Sequence, residues 1–238
     1  MSGFLPQPLP QPLSLPEEFV LLSHLPSGKV HGSTRAAFGC AAAELGELTL
    51  RYKILPRPWK TTVRGVPAHV THRAGIELLD TTATGLAWAD EVLAELSRFP
   101  VTDEQRIGVR QWLKQRRHAF PLHRAALMER GVLGERSGFL GGKRRAPDQT
   151  TRHALITQLR AIGSGQCPVD AHGLFLCDLI RAVGLHRTLR VPMGMRTTPY
   201  RSRGPGSAES VPEELRHASS ALAGMVPSHD VHTGSRWA

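Results

Sequence analysis

The stretch Thr34-Arg35-Ala36-Ala37-Phe38-Gly39-Cys40-Ala41-Ala42-Ala43-Glu44-Leu45 decides how this chain folds. Ala37, Cys40, Ala41, Glu44 and Leu45 recur at helical spacing, and alanine dominates the segment. Small side chains let neighbouring helices approach closely, so the segment reads as a central buried helix. Upstream, Ser14-Leu15-Pro16-Glu17 is a capping box with proline in the first turn, which predicts a helix from Leu15 to Leu22. Ser27-Gly28-Lys29 is a turn. Residues 1–12 are rich in proline, which fixes φ and removes donors, so they read as an extended, disordered arm.

Downstream, Leu48-Thr49-Leu50-Arg51-Tyr52-Lys53-Ile54 alternates and predicts a strand. Residues 55–75, with Pro56, Pro58, Gly65 and Pro67, read as loop with one short strand at most. Ile76 to Asp80 is a second strand, and Thr81 to Gly85 a turn. A helix from Leu86 to Arg98 turns Trp88, Val92, Leu93 and Leu96 inward. Asp103 then caps a helix to about His118, which places Arg106, Arg110, Lys114 and Arg117 in one basic stripe. Pro121 opens a helix that stops at Arg130-Gly131, followed by a hairpin with Phe139-Leu140 near its tip. Helices are expected over residues 149–162 and 170–183. From Val191 the chain is rich in Pro, Gly, Ser, His and Arg and reads as largely disordered, with a short helix at Pro212–Met225.

Several functional classes fall away at this level. No stretch approaches the roughly 18 apolar residues of a membrane span, and the opening residues lack the basic and apolar regions of a signal peptide. Cys40, Cys167 and Cys177 have no CxxC spacing and read as reduced structural thiols in a cytoplasm. His69 with His72, His118 with His123, and His229 with His232 lack the acidic or cysteine companions of a metal site, so none is assigned. Gly141-Gly142-Lys143-Arg144 lacks the earlier glycine and the following Ser or Thr of a phosphate loop. No nucleophile–base pair or paired carboxylate is evident, so neither catalysis nor a cofactor is expected.

The charge is informative because it is uneven. The net charge is +10, yet residues 1–100 carry nine basic and nine acidic side chains. Between Arg106 and Arg152 stand 12 Lys/Arg against Glu129, Glu135 and Asp148. Such a segment attracts a polyanion. Helices followed by a basic hairpin resemble a winged-helix pattern, which makes nucleic acid one partner class. An anionic membrane is the other. There each Lys/Arg contributes about 1 kcal/mol near the surface, and an apolar tip dips below the headgroups. Phe139-Leu140 beside Lys143-Arg144-Arg145 fits a membrane better than a duplex backbone.

At this point the segments resemble a known family. Leu13-Ser14-Leu15-Pro16-Glu17-Glu18-Phe19-Val20-Leu21-Leu22 is similar to the opening helix of the Golgi phosphoprotein 3 family. Ala43 to Ile54, with Glu47-Leu48-Thr49-Leu50-Arg51-Tyr52-Lys53-Ile54, is similar to its Glu-Leu-Ala-Leu-Arg-Gly-Arg-Ile segment. Thr84-Gly85 with Ala89-Asp90-Glu91-Val92-Leu93, and Leu127-Met128-Glu129-Arg130-Gly131-Val132-Leu133, resemble two further segments. The resemblance spans about residues 13–190, taken as the domain, with residues 191–238 as a C-terminal tail.

The resemblance implies a mainly α fold: one domain with a central helical bundle, surrounding amphipathic helices and short β-hairpins. It implies non-enzymatic, reversible binding to the cytoplasmic face of a membrane. In eukaryotic members the ligand is phosphatidylinositol 4-phosphate, held by a Trp, an Arg on the second helix and two Arg three residues apart. A hydrophobic hairpin contacts membrane and takes part in self-association. Arg117 matches the first of the paired arginines and Phe120 stands at the second. Ala41 stands at the second-helix Arg, and the Trp falls near Gly32. Arg116 or Arg124 would then substitute in the pocket, and Arg35 would reach in from the second helix. Phe139 and Leu140 match the hairpin's Phe-Leu. The arginine-rich composition resembles a bacterial-type member, for which a general anionic phospholipid replaces the phosphoinositide.

Overall fold

The computed structural model describes residues 12–63, 66–99, 107–137, 143–193 and 208–227. Among these residues nine α-helices surround one apolar core, with two small antiparallel sheets beside it. The fold is mainly helical, as expected.

The first two helices set the frame. Helix α1 (Leu15–Ser23) has Pro16 in its first turn and Glu17 turned back to accept from the Ser14 backbone N–H at 2.8 Å. Glu47, from the second helix, accepts from the Leu15 N–H at 2.9 Å, so a second carboxylate answers the free donors at this helix start. Helix α2 (Ser33–Leu50) is the central element, and from Phe38 to Thr49 every residue is buried. Two glycines one above the other explain how close its neighbours come. A Cβ at Gly39 would lie 2.3 Å from the Phe19 ring and 2.9 Å from Val183, and one at Gly46 would lie 2.7 Å from Leu15. Gly39→Ala gains about 0.5–1 kcal/mol of helix propensity. Overpacking against the fully buried Phe19 costs about 1–3 kcal/mol. The expected result is a net loss, read as a thermal midpoint lower by several degrees. An unchanged midpoint would mean that the α1–α2 contact yields freely.

The strand expected over Leu48–Ile54 is corrected. Helix α2 continues through Leu50, Tyr52 turns the chain in the left-handed region (φ 55°), and strand β1 begins only at Ile54. Over seven residues an alternating pattern also fits two helical turns. Here Leu45 and Leu48 both face the core, and Arg51 Nε bonds Glu47 Oε1 at 2.8 Å one turn back.

Residues read mostly as loop form a hairpin instead: β1 (Ile54–Val63) pairs antiparallel with β2 (Val66–Leu78), with a register shift between Pro58 and Trp59. Proline removes ladder donors, but β1 is the edge of the three-stranded sheet, where proline is tolerated. Lys53 fixes the start of this hairpin by donating to Asp80 at 2.5 Å and Thr82 at 2.6 Å.

Helix α3 (Ala87–Ser97) buries Val92, Leu93 and Leu96 as predicted, while Trp88 is only half-buried. The Thr84 backbone N–H and Oγ1 donate to Asp90 at 2.6 and 2.7 Å, which explains the Thr-Gly…Asp spacing and draws the Asp90 carboxyl below its usual range.

The long basic helix is also corrected. A two-residue strand, β3 (Ile107–Gly108), pairs with β2, and helix α4 runs only from Val109 to Gln115. Arg117 lies in the turn before helix α5 (Ala119–Glu129), so no single stripe joins it to Arg110 and Lys114. The proposed cap Asp103 and Arg106 fall outside the described residues. Pro121 sits in the first turn of α5, two residues past the helix start.

The second hairpin forms where expected, β4 (Leu133–Ser137) against β5 (Lys143–Pro147), with Glu135 opposite Arg145. Helices α6 (Gln149–Gly163) and α7 (Ala171–Ala182) follow, with Asp148 and Asp170 accepting from the N–H groups of Thr151 and Gly173 as N-caps. After the short helix α8 (Leu185–Leu189) and a single turn at Ala208–Ser210, helix α9 (Glu213–Met225) closes the core. This is the helix expected at 212–225. It packs on α7, α2 and the β1–β2 sheet, and Leu215, Ala218, Leu222 and Met225 are buried. One core therefore includes side chains beyond residue 190.

Candidate functional site

The residues proposed from sequence do not share one environment. Arg117 is exposed, with its guanidinium 5.2 Å from the centre of the Phe38 ring, a cation–π seat on the flank of α2. No carboxylate among the described residues pairs with it.

Arg116, its neighbour, points the other way. It is 2% exposed; Nε donates to Glu44 at 2.9 Å and Nη1 to Glu95 at 3.1 Å. Glu44 is fully buried on α2 and its other oxygen lies 3.0 Å from His123 Nε2. Trp88 meets the His123 ring edge-on at 4.8 Å. This buried group ties α2 to α3, α4 and α5. Burial requires a polar partner for every polar group, and Glu44 supplies one for both Arg116 and His123. Cys40, one turn before Glu44, lies within the same core, where burial and then Glu44 push its thiol well above the ordinary value. A thiol held protonated is a poor nucleophile.

Arg35 is also engaged in the fold. Its Nη1 donates to the Val183 carbonyl at 2.9 Å, at the end of α7, where a cation complements the helix dipole. Arg116 and Arg35 thus hold the fold together, which leaves Arg117 and Arg124 as the two of these four arginines with no hydrogen bond or ion pair to the protein among the described residues.

Arg124 is half-buried on α5, close enough to Arg145 of β5 for the two charges to oppose each other. Two residues not singled out by sequence belong to this region. His24, at the end of α1, stacks on Phe120 with ring centres 5.7 Å apart. Arg152 of α6 donates from Nε to the His24 carbonyl at 3.1 Å. Only tertiary packing brings residues 24 and 152 together. A signal was present, since Arg152 lies in the excess-charge segment, but its helical spacing marks it as an inward position.

Phe139 and Leu140 lie in segment 138–142, outside the described residues, between the strands of the second hairpin. The side chains of His69 and His72, and residues 229 and 232, are likewise outside them. Among the described residues no helix is long and apolar enough to cross a membrane.

The fold and these surfaces define a mainly helical domain on an alanine-rich central helix, with Arg124 of α5, Arg145 of β5 and Arg152 of α6 close to His24 at the end of α1. Residues 15–222 match the family model of Golgi phosphoprotein 3 (GPP34). The chain belongs to that family. No curated protein matches it significantly.

Proposed function

We propose that this protein docks reversibly on the cytoplasmic face of a membrane by binding anionic lipid headgroups, without catalysis. The observation that carries this reading is Arg117. It stands at a family-matched position, exposed, seated on Phe38 and free of any carboxylate partner among the described residues. A cation already oriented and not neutralised by the protein loses little on meeting a headgroup phosphate. Family membership supports the same reading. The second hairpin adds a frame from which Phe139 and Leu140 would enter the headgroup layer beside Lys143, Arg144 and Arg145. Self-association through this hairpin would raise avidity.

The headgroup is either a phosphoinositide resembling phosphatidylinositol 4-phosphate or anionic phospholipid in general. General anionic phospholipid is favoured, because Phe120, Ala41 and Gly32 stand where the family pocket has Arg, Arg and Trp. Flotation with phosphatidylcholine vesicles, alone or with phosphatidylserine or phosphatidylinositol 4-phosphate, tests this at low salt. Binding is expected only with anionic lipid and should weaken as salt screens the charges. Arg117→Ala should weaken it about fivefold, the equivalent of roughly 1 kcal/mol per arginine, and Phe139→Asp should weaken it further. Equal flotation with and without anionic lipid would sink the reading. Tight duplex-DNA binding with a steep salt slope, in place of vesicle binding, would transfer it to a winged-helix-like nucleic-acid binder.

A further inference from the structure

At the end of α1, cations from α5, β5 and α6 gather around His24. None of Arg124, Arg145 and Arg152 is paired with a carboxylate among the described residues. One of these cations touches His24 directly, and the helix that carries another does so through Phe120. Arg152 Nε donates to the His24 carbonyl at 3.1 Å, and Phe120, one turn before Arg124 on α5, stacks on the His24 ring. The groups are enclosed as well as close, since His24 is 1% and Arg152 7% exposed. Two enclosed polar atoms there have no hydrogen-bond partner: His24 Nε2 and Arg145 Nε.

We propose that Arg124, Arg145 and Arg152, with the ring of His24, form a binding site for a phosphate-type dianion, either a phosphomonoester headgroup or free phosphate. Gathering three partly or fully buried arginines with no carboxylate paired to them among the described residues is unfavourable, and a dianion seated among them reverses that balance. Guanidinium forks match phosphate oxygens in geometry, and the unpartnered Arg145 Nε–H is a donor of the kind such an oxygen accepts. The lipid form of this assignment rests on the membrane reading above; the anion site itself does not.

His24 gives the site a second property. Its Nδ1 lies 2.8 Å from the Val20 carbonyl, which can only accept, so Nδ1 carries the proton. In the neutral ring Nε2 is then a bare lone pair. Burial first, and then Arg124, Arg145 and Arg152, hold the ring's proton affinity below the ordinary histidine value, against the Val20 bond that raises it. An anion offsets the arginines and accepts from a protonated Nε2. Capture therefore takes up a proton, and affinity rises as pH falls.

Calorimetric titration of the full chain with inorganic phosphate and inorganic sulfate tests the site. Inorganic phosphate itself gains a proton between the two pH values compared, whereas sulfate keeps its charge, so sulfate isolates the protein's proton. Both ions should bind, sulfate more tightly at about pH 6 than at about pH 8, with proton uptake measured from the buffer dependence of the heat. His24→Gln should abolish that pH dependence. Arg124→Gln and Arg145→Gln should each weaken binding about tenfold or more, the loss expected for one charge-assisted contact, while unfolding as cooperatively as wild type. Vesicles of phosphatidylcholine with phosphatidic acid, compared at matched charge with phosphatidylserine, separate the sources. A preference for the monoester lipid that is lost in Arg124→Gln assigns the headgroup. Ion binding with no lipid preference assigns free phosphate. Absence of ion binding, or ion binding unchanged in both arginine variants, overturns the site. In that case anionic flotation that still depends on Arg117 leaves the membrane reading standing.

Discussion

Glu44→Ala should lower the thermal midpoint by about 6–20 °C, among the largest effects of any single substitution. Breaking a buried ion pair by removing one partner costs about 3–5 kcal/mol, and a domain of this size loses about 2–4 °C per kcal/mol. Glu44 is fully buried and serves two partners at once, Arg116 at 2.9 Å and His123 at 3.0 Å. Without it, Arg116 keeps only Glu95, whose side chain is 36% exposed. The Arg116 Nη2 atom is already buried without a partner, so the guanidinium has no spare contact to fall back on. Replacing both charges together, Glu44→Gln with Arg116→Met, should recover much of the loss, because apolar packing tolerates what a stranded charge does not. Chemical unfolding of the two single variants and the double variant completes a cycle with a coupling energy of about 1 kcal/mol or more. A loss below about 1 kcal/mol for Glu44→Ala, the level of an exposed pair, would show that water reaches the group and would remove its structural role.

The second large effect concerns the last helix. A chain ending before Ala208 should lose cooperative unfolding and expose apolar surface to a hydrophobic dye. Helix α9 covers α7, α2 and the base of the first hairpin. Leu222 is fully buried and Leu215 is 3% exposed. Burying a leucine is worth about 2–5 kcal/mol against alanine when the site cannot collapse. Two such residues match a large part of the roughly 5–15 kcal/mol that stabilises a whole domain. Leu222→Ala alone should lower the midpoint strongly while leaving anionic flotation intact at low temperature. A truncated chain that unfolds as sharply as the full one would show that the core closes without α9. The family match, which runs to residue 222, includes this helix.

These two cases show where sequence reading succeeds and where it stops. The capping box at Ser14–Glu17, the helices over residues 149–162 and 170–183, and the alanine run of α2 follow local rules, and each was legible because its partners lie within a few residues. The strand expected at Leu48–Ile54 failed for a physical reason: short apolar alternation fits either geometry until a neighbouring face selects one. The expected stripe over Arg106–Arg117 failed because pairing of Ile107–Gly108 with β2 interrupts the helix, and that pairing spans more than thirty residues of chain. The polar, proline-rich composition after Val191 left α9 legible as a helix but hid its place in the core, because its buried apolar residues are diluted by their surroundings.

The candidate site divides in the same way. Net charge picked out the segment from Arg106 to Arg152, since excess charge is additive and needs no fold to be counted. It did not sort the arginines. Arg116 and Arg117 are adjacent in sequence, yet one is sealed against Glu44 and the other lies exposed over Phe38. That difference is a matter of which side of a turn faces the core. By itself, the sequence determined the mainly helical class, the central helix, the helices over residues 149–162 and 170–183 and the segment that carries the excess positive charge. Only the tertiary structure decided which cations are tied into the fold and which stand without a carboxylate partner among the described residues. Burial and ion pairing depend on side chains far apart in the chain, such as Glu44 with Arg116 and His24 with Arg152, and no local pattern records them.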